Sequence, residues 1–196
     1  MEAISPLNDE EWLAFADTFT VKKFRKKQAF IKEGKVPSEI GYLIKGSMRY
    51  YYTKDGEEIT TFFFFENSMV TVYNSFLKKT PSLVTVEAME DCELWVFNYE
   101  NMNRLYKKYP AFERFGRLIA EWLYCCMEER MSSLLLDKPE TAYKKLLEQD
   151  KEIIEKIPQR YIASYLGITP VSLSRIRKRI QGKVATRLKN PLRKTG

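Results

Sequence analysis

The sequence predicts an α+β fold in three parts: an amino-terminal β sandwich or barrel, one long helix, and a carboxy-terminal pair of helices joined by a tight turn. Three observations predict it. Residues Thr20 to Phe97 are short runs of β-branched and aromatic residues broken by Gly, Pro and Asp. Pro110 then opens a stretch with no further proline before Pro139, and its apolar residues recur at helical spacing. Finally, Pro158 to Ile180 carries a helix start, a glycine stop and a second capped start.

Taken in order, Ile4 to Phe19 reads as an amphipathic helix. Leu7, Trp12, Phe15 and Phe19 form its apolar side, and Asn8, Asp9, Glu10 and Glu11 favour its amino end. Within the strand region Gly34, Gly41, Gly46 and Gly56 punctuate turns, and Lys54-Asp55-Gly56-Glu57 signals a hairpin between Met48–Thr53 and Glu58–Phe65. The continuous Phe62–Phe65 run cannot be assigned to two faces by alternation. Asn98 to Met102 reads as a short helix. In the long helix that follows, Phe115, Leu118, Trp122 and Cys125 share one seam, and Phe112, Ile119, Leu123 and Cys126 form a neighbouring stripe. Two apolar stripes require two partners. Asp137-Lys138-Pro139-Glu140 marks a hinge, a helix through Tyr143, Leu146 and Leu147 follows, and Lys151–Lys156 leads on to the last pair.

In that pair, Tyr161, Ile162, Tyr165 and Leu166 make an apolar face, Ala163 is small where two helices cross closely, and Gly167 supplies the stop. Thr169 as N-cap and Pro170 at the first helical position restart the chain. Val171 or Leu173, with Ile176 and Ile180, can pack inward; Ser172, Ser174, Arg175, Lys178 and Arg179 are left outside. This is the pattern of a helix-turn-helix. From Pro158 onward there are ten Lys or Arg and no Asp or Glu, so removing that +10 from the whole-chain +7 leaves −3 for residues 1–157. The basic character belongs to one end, and double-stranded DNA is the natural partner for it.

Composition excludes several chemistries. There is no histidine, which removes the usual zinc ligand, haem ligand and general base, so the chain does not read as an enzyme. The three cysteines, Cys92, Cys125 and Cys126, are odd in number and two are adjacent, which argues against a disulfide framework. No apolar run reaches the ~20 residues needed to span a bilayer, and residues 1–12 lack a signal-peptide pattern, so a cytoplasmic, membrane-free location is expected.

The segment Phe30–Phe62, FIKEGKVPSEIGYLIKGSMRYYYTKDGEEITTF, followed by LVTVEAMEDCELWVF at 83–97, a long helix and a helix-turn-helix, resembles the cAMP receptor protein and fumarate–nitrate regulator (Crp/Fnr) family along nearly the whole chain. The resemblance implies a cyclic-nucleotide-binding-like jelly roll over residues 1–109, a dimerisation helix over 110–136 and a DNA-binding domain over 137–196. It implies a homodimeric transcription regulator that meets a pseudo-palindromic site and RNA polymerase. Cyclic-AMP-binding relatives hold the ribose with a Gly-Glu-Leu step and the phosphate with an Arg-Ser pair. Here the glutamate position falls on Val72, and the Arg-Ser pair falls on Ser82 and Leu83. No cysteine precedes Cys92 for a cluster and no histidine is present for haem, so neither cofactor is expected and the effector stays open. The remaining pocket candidates are Phe64, Thr71, Tyr73, Asn74, Ser75, Ser82 and Thr85. By the same resemblance Arg175 reads guanine, Pro170 and Val171 stand where relatives carry arginine and glutamate, and Gln159, Thr169, Ser172 and Lys178 meet phosphates. After Ile180 a short wing or a basic tail is expected. A module that binds ligand or protein without specific DNA recognition is the alternative.

Overall fold

The computed structural model describes residues 7–149 and 151–189. The chain divides into two compact units, Met1–Met131 and Ser132–Gly196. In the first, helix α1 runs from Asp9 to Ala16. Asn8 caps it in a capping box: its side chain accepts from the Glu11 N–H at 2.9 Å, and the Glu11 carboxylate accepts from the Asn8 N–H. The helix is shorter than the spacing predicts, because Asp17 and Thr18 close it and Phe19 packs from beyond its end. Phe15 is its buried anchor, Trp12 is exposed, and residues 4–6 lie outside the described residues.

Eight strands follow: β1 (Thr20–Phe24), β2 (Ala29–Ile31), β3 (Glu39–Lys45), β4 (Met48–Lys54), β5 (Glu57–Phe64), β6 (Met69–Val70), β7 (Val84–Ala88) and β8 (Cys92–Asn98). They form two four-stranded antiparallel sheets, ordered β1-β8-β3-β6 and β2-β7-β4-β5. Leu43, Leu94 and Val96 from one sheet meet Met48, Val84, Val86 and Ala88 from the other in the inter-sheet core. The β4–β5 hairpin closes on Asp55 and Gly56, both at positive φ, with Lys54 paired to Glu57. One register shift decides the phenylalanine run. Tyr50 pairs with Phe62 but Tyr51 pairs with Thr60, so Thr61 is an extra residue on β5. Phe62 and Phe64 therefore point into the inter-sheet core, and Phe63, opposite Arg49, takes the other face.

Helix α2 (Tyr73–Lys78) interrupts the strands, and α3 (Tyr99–Lys108), capped by the Asn98 side chain, follows β8 and runs two turns further than its sequence signature. The long helix α4 spans Pro110–Leu136. Its Phe112 is buried in a second core with Phe15, Ile40, Phe76, Phe97, Met102 and Leu105.

The second unit holds α5 (Pro139–Gln149), α6 (Lys151–Lys156), α7 (Gln159–Tyr165) and α8 (Pro170–Lys189). Tyr143, Leu146, Ile153, Ile157, Ile162, Ala163, Leu166, Leu173 and Ile176 are its buried side chains. Helix α8 does not stop at Ile180; its backbone stays helical to Lys189, and among the described residues no wing strand follows. The positions after 189, where the tail is expected, lie outside the described residues. No helix among the described residues is long and apolar enough to cross a membrane.

Candidate effector pocket and DNA-reading helix

The segment Ser68–Thr85 is where an effector site is expected, and its residues point in different directions. Val72 is in the inter-sheet core. The Ser82 hydroxyl is taken up locally, donating to the Val84 carbonyl at 2.7 Å and accepting from the Val84 N–H at 3.1 Å. Leu83 is 75% exposed. A phosphate would meet no guanidinium at either position. Lys79, a possible substitute cation, lies 4.5 Å from the Tyr99 ring centroid, against α3. Thr85 is buried and accepts from the Glu33 N–H at 3.2 Å; Ser75 is buried and Asn74 is exposed. The Thr71 hydroxyl is buried and makes no hydrogen bond among the described residues.

Phe64 belongs to a line of aromatic rings inside the roll. Its ring centroid is 5.1 Å from Phe62 and 6.5 Å from Tyr50, and Tyr50 is 6.0 Å from Tyr52. Burial pushes the Tyr50 phenol well above its ordinary pKa. The strand aromatics expected to line a pocket thus occupy that interior themselves. Tyr73 lines a cavity on the other side of the sheet, beneath α4.

Sequence reasoning overlooked Arg49, because a lone arginine in a strand reads as a solvent-facing residue. It is 1% exposed. One guanidinium nitrogen lies 2.6 Å from the Glu58 carboxylate and 3.5 Å from Glu87, another donates to Thr60 at 3.4 Å, and its carbon sits 4.0 Å from the Tyr51 ring centroid. Half of the signal was available: strand pairing sets Glu87 directly opposite Arg49, whereas Glu58 pairs with Thr53, four residues further along β4, and is met only by the length of the arginine side chain. Such a cluster ties three strands together.

In the second unit the turn chemistry is local and complete. Gly167 has φ +67°, its N–H donates to the Ser164 carbonyl at 3.0 Å and the Ile168 N–H donates to Ala163 at 3.0 Å, the paired bonds of a Schellman stop. The Thr169 hydroxyl then accepts from the Ser172 N–H at 3.2 Å and caps α8. Leu173 and Ile176 face inward against α7, whereas Val171 is 61% exposed. Pro170, Ser174, Arg175, Lys178 and Arg179 are exposed on α8, as is Gln159 at the start of α7, and Ser172 is half-buried. Arg179 reaches Glu140 at 3.5 Å; Arg175 and Lys178 make no ion pair among the described residues. With Ile168 and Lys138 they flank a groove along α8. The arrangement presents a helix face of one charge sign, free to engage an anion.

On α4, Ile119, Leu123 and Cys126 are half-buried, as are Phe115 and Leu118, while Trp122 and Cys125 are exposed. A third stripe escaped the sequence reading. Ala120, Tyr124, Met127 and Met131, at four-three-four spacing, share a further face, and the last three are exposed. Cys92 is buried, its thiol pushed up to about 11 chiefly by burial, and Cys92, Cys125 and Cys126 form no disulfide among the described residues.

With the two sheets and the interrupting α2 in place, residues 21–109 match the family model of the cyclic nucleotide-binding domain. Over those residues, fewer than half of the chain, it is similar to that family. The match agrees with the Crp/Fnr resemblance read from the sequence. Solved structures extend the likeness beyond the domain. FixK2 from Bradyrhizobium japonicum is similar over 84% of this chain and 85% of its own, with 18% identity and a TM-score of 0.70. The c-di-GMP responsive global regulator CLP of Xanthomonas campestris covers 90% of this chain and 93% of its own at 15% identity and a TM-score of 0.62. The Catabolite Activator Protein of Thermus thermophilus covers 90% and 85% at 21% identity and a TM-score of 0.54. At these identities the likeness is one of fold. No curated protein sequence matches the chain.

Proposed function

We propose that this chain is a DNA-binding transcription regulator of the Crp/Fnr family that acts as a homodimer. The observation that carries the reading is the capped turn from Gly167 to Thr169, which presents the exposed basic face of α8. Arg175 is the base reader, with a bidentate contact to guanine worth ~1–3 kcal/mol of discrimination. Val171 meets a thymine methyl, and Gln159, Thr169, Ser172 and Lys178 position the helix on phosphates. The third stripe of α4, Ala120, Tyr124, Met127 and Met131, pairs with the same stripe of a second subunit. Two copies of α8 then enter successive major grooves, which makes the DNA site a pseudo-palindrome. RNA polymerase is the downstream partner of such a regulator. The sensor domain lacks the charged anchors of a cyclic-nucleotide site, and Tyr50, Phe62 and Phe64 pack into its inter-sheet interior. Gel-shift titration of genomic fragments at two salt concentrations tests the reading. Specific, salt-sensitive binding is expected, with Arg175→Ala relaxing specificity and Lys178→Ala weakening all sites alike. Affinity no greater than for random DNA in every fragment would reject it.

A further inference from the structure

We infer that the cavity between the strand domain and the first turns of α4 is a binding site for a compact, mostly apolar molecule carrying one hydrogen-bonding group. The cavity measures about 40 Å³. A water-sized sphere occupies ~10–15 Å³, so there is room for roughly three, which suits a molecule of about three to five heavy atoms. Protein interiors seldom leave voids larger than a water, and an apolar void stays dry and accepts apolar guests.

The walls select the class of guest. Ile40 and Phe97 come from the sheet, Phe115 and Ile119 from α4, and Tyr73 and Tyr106 from α2 and α3; no lining side chain is charged. A carboxylate or phosphate would have to shed its water with nothing to replace it. One neutral polar group, by contrast, is provided for. Tyr73 and Tyr106 are half-buried and neither phenol makes a hydrogen bond among the described residues. A phenol both donates and accepts, so either can hold a hydroxyl or a carbonyl.

Gly116 sets this wall. A glycine in a helix interior costs about 1 kcal/mol relative to alanine, and the sequence pattern of α4 gives no reason for one. In the structure a Cβ at that position would collide with the Tyr106 hydroxyl. The glycine lets α4 approach closely enough for the phenol to stand at the cavity edge. The site also explains why Tyr73, at the start of α2, faces away from the inter-sheet core. It supplies an effector class for the sensor domain of the regulator proposed above, and its occupancy is read without DNA, so failure of either reading leaves the other standing.

The test is methyl NMR of the full chain with two probes, xenon for apolar volume and 2-propanol for volume plus one hydroxyl. Saturable shifts are expected at the methyls of Ile40, Met69, Leu105 and Ile119, with those of Leu43, Val84 and Leu94 in the inter-sheet core unmoved. Ile119→Phe, which fills the space, should abolish both responses. Tyr106→Phe should leave xenon binding unchanged and weaken 2-propanol at least fivefold. Absent shifts in the wild type, or shifts shared equally with the inter-sheet core, would overturn the site. An unchanged 2-propanol affinity in Tyr106→Phe would overturn the assignment of its polar group. Should Ile119→Phe fail to melt cooperatively, the wild-type map and Tyr106→Phe still decide.

Discussion

Four residues show how far single positions govern this chain. Gly167 sits at φ +67° with nothing within 4 Å of where a Cβ would stand, so alanine there is opposed by backbone strain alone. We expect Gly167→Ala to lower stability by ~1 kcal/mol in urea unfolding. Gly116→Ala fails for the opposite reason, because the Tyr106 hydroxyl fills the space. It should destabilise by ~1–3 kcal/mol, and Gly116→Ala with Tyr106→Phe should recover most of the loss, a coupling that a double-mutant cycle measures. Gly167 was legible in the sequence, since a stop followed by Thr169-Pro170 is local chemistry. Gly116 was not, because its reason lies on another helix. Titration gives a third expectation. The Cys92 thiol is raised from 9.0 to about 11, and the Tyr106 phenol from 10.0 to about 12, both chiefly by burial. Folding therefore favours their protonated forms. That stability is fully present below pH 9 and is lost as pH climbs through 9–11 for Cys92 and 10–12 for Tyr106. Unfolding measured from pH 8 to 11 should show declining stability that Cys92→Ala partly flattens.

At the scale of elements, strand β4 was read for its hairpin and not for its charge. The Asp55-Gly56 turn announced the pairing, but only the extra residue at Thr61 shows which phenylalanines face the core. Alternation could not reveal a bulge, and a run of four identical residues hides one completely. Pairing also sets Glu87 opposite Arg49, whose side chain reaches along the sheet to Glu58 as well. Removing one member of a buried ionic cluster leaves the others uncompensated, which typically costs ~3–5 kcal/mol, although Glu58 is partly hydrated and lowers that figure here. Arg49→Ala should therefore destabilise strongly in thermal unfolding. Arg49→Met, which restores apolar volume, should cost less than Arg49→Ala if packing dominates. Equal losses would locate the energy in the charge itself. The contrast matters because β4 lies between β5 and β7, so a weakened β4 loosens the whole second sheet.

For the whole molecule, the open question in the sequence was which face of α4 meets a second copy. The apolar pattern offered two stripes, and the structure half-buries Phe115, Leu118, Ile119, Leu123 and Cys126 within the chain's own fold. Tyr124, Met127 and Met131 were passed over because tyrosine and methionine blur the contrast on which a periodic pattern depends. Their exposure on one helix face is what favours that face for the proposed pairing. Met127→Glu with Met131→Glu places four carboxylates in the paired seam of a dimer and none in the interior of a monomer. Sedimentation equilibrium should then report the 23.2 kDa monomer where the wild type reports twice that mass. Circular dichroism should be unchanged, since neither side chain is part of a core. The DNA consequence follows from symmetry. A monomer engages one half-site and forfeits the second, so specific affinity for a pseudo-palindrome should collapse towards the non-specific level, while the basic face of α8 keeps its salt-dependent attraction to any duplex. The corresponding pair on the other exposed stripe, Trp122→Glu with Cys125→Glu, should leave mass and DNA affinity intact. If that pair, and not Met127 with Met131, breaks the dimer, the seam has been assigned to the wrong face of the helix.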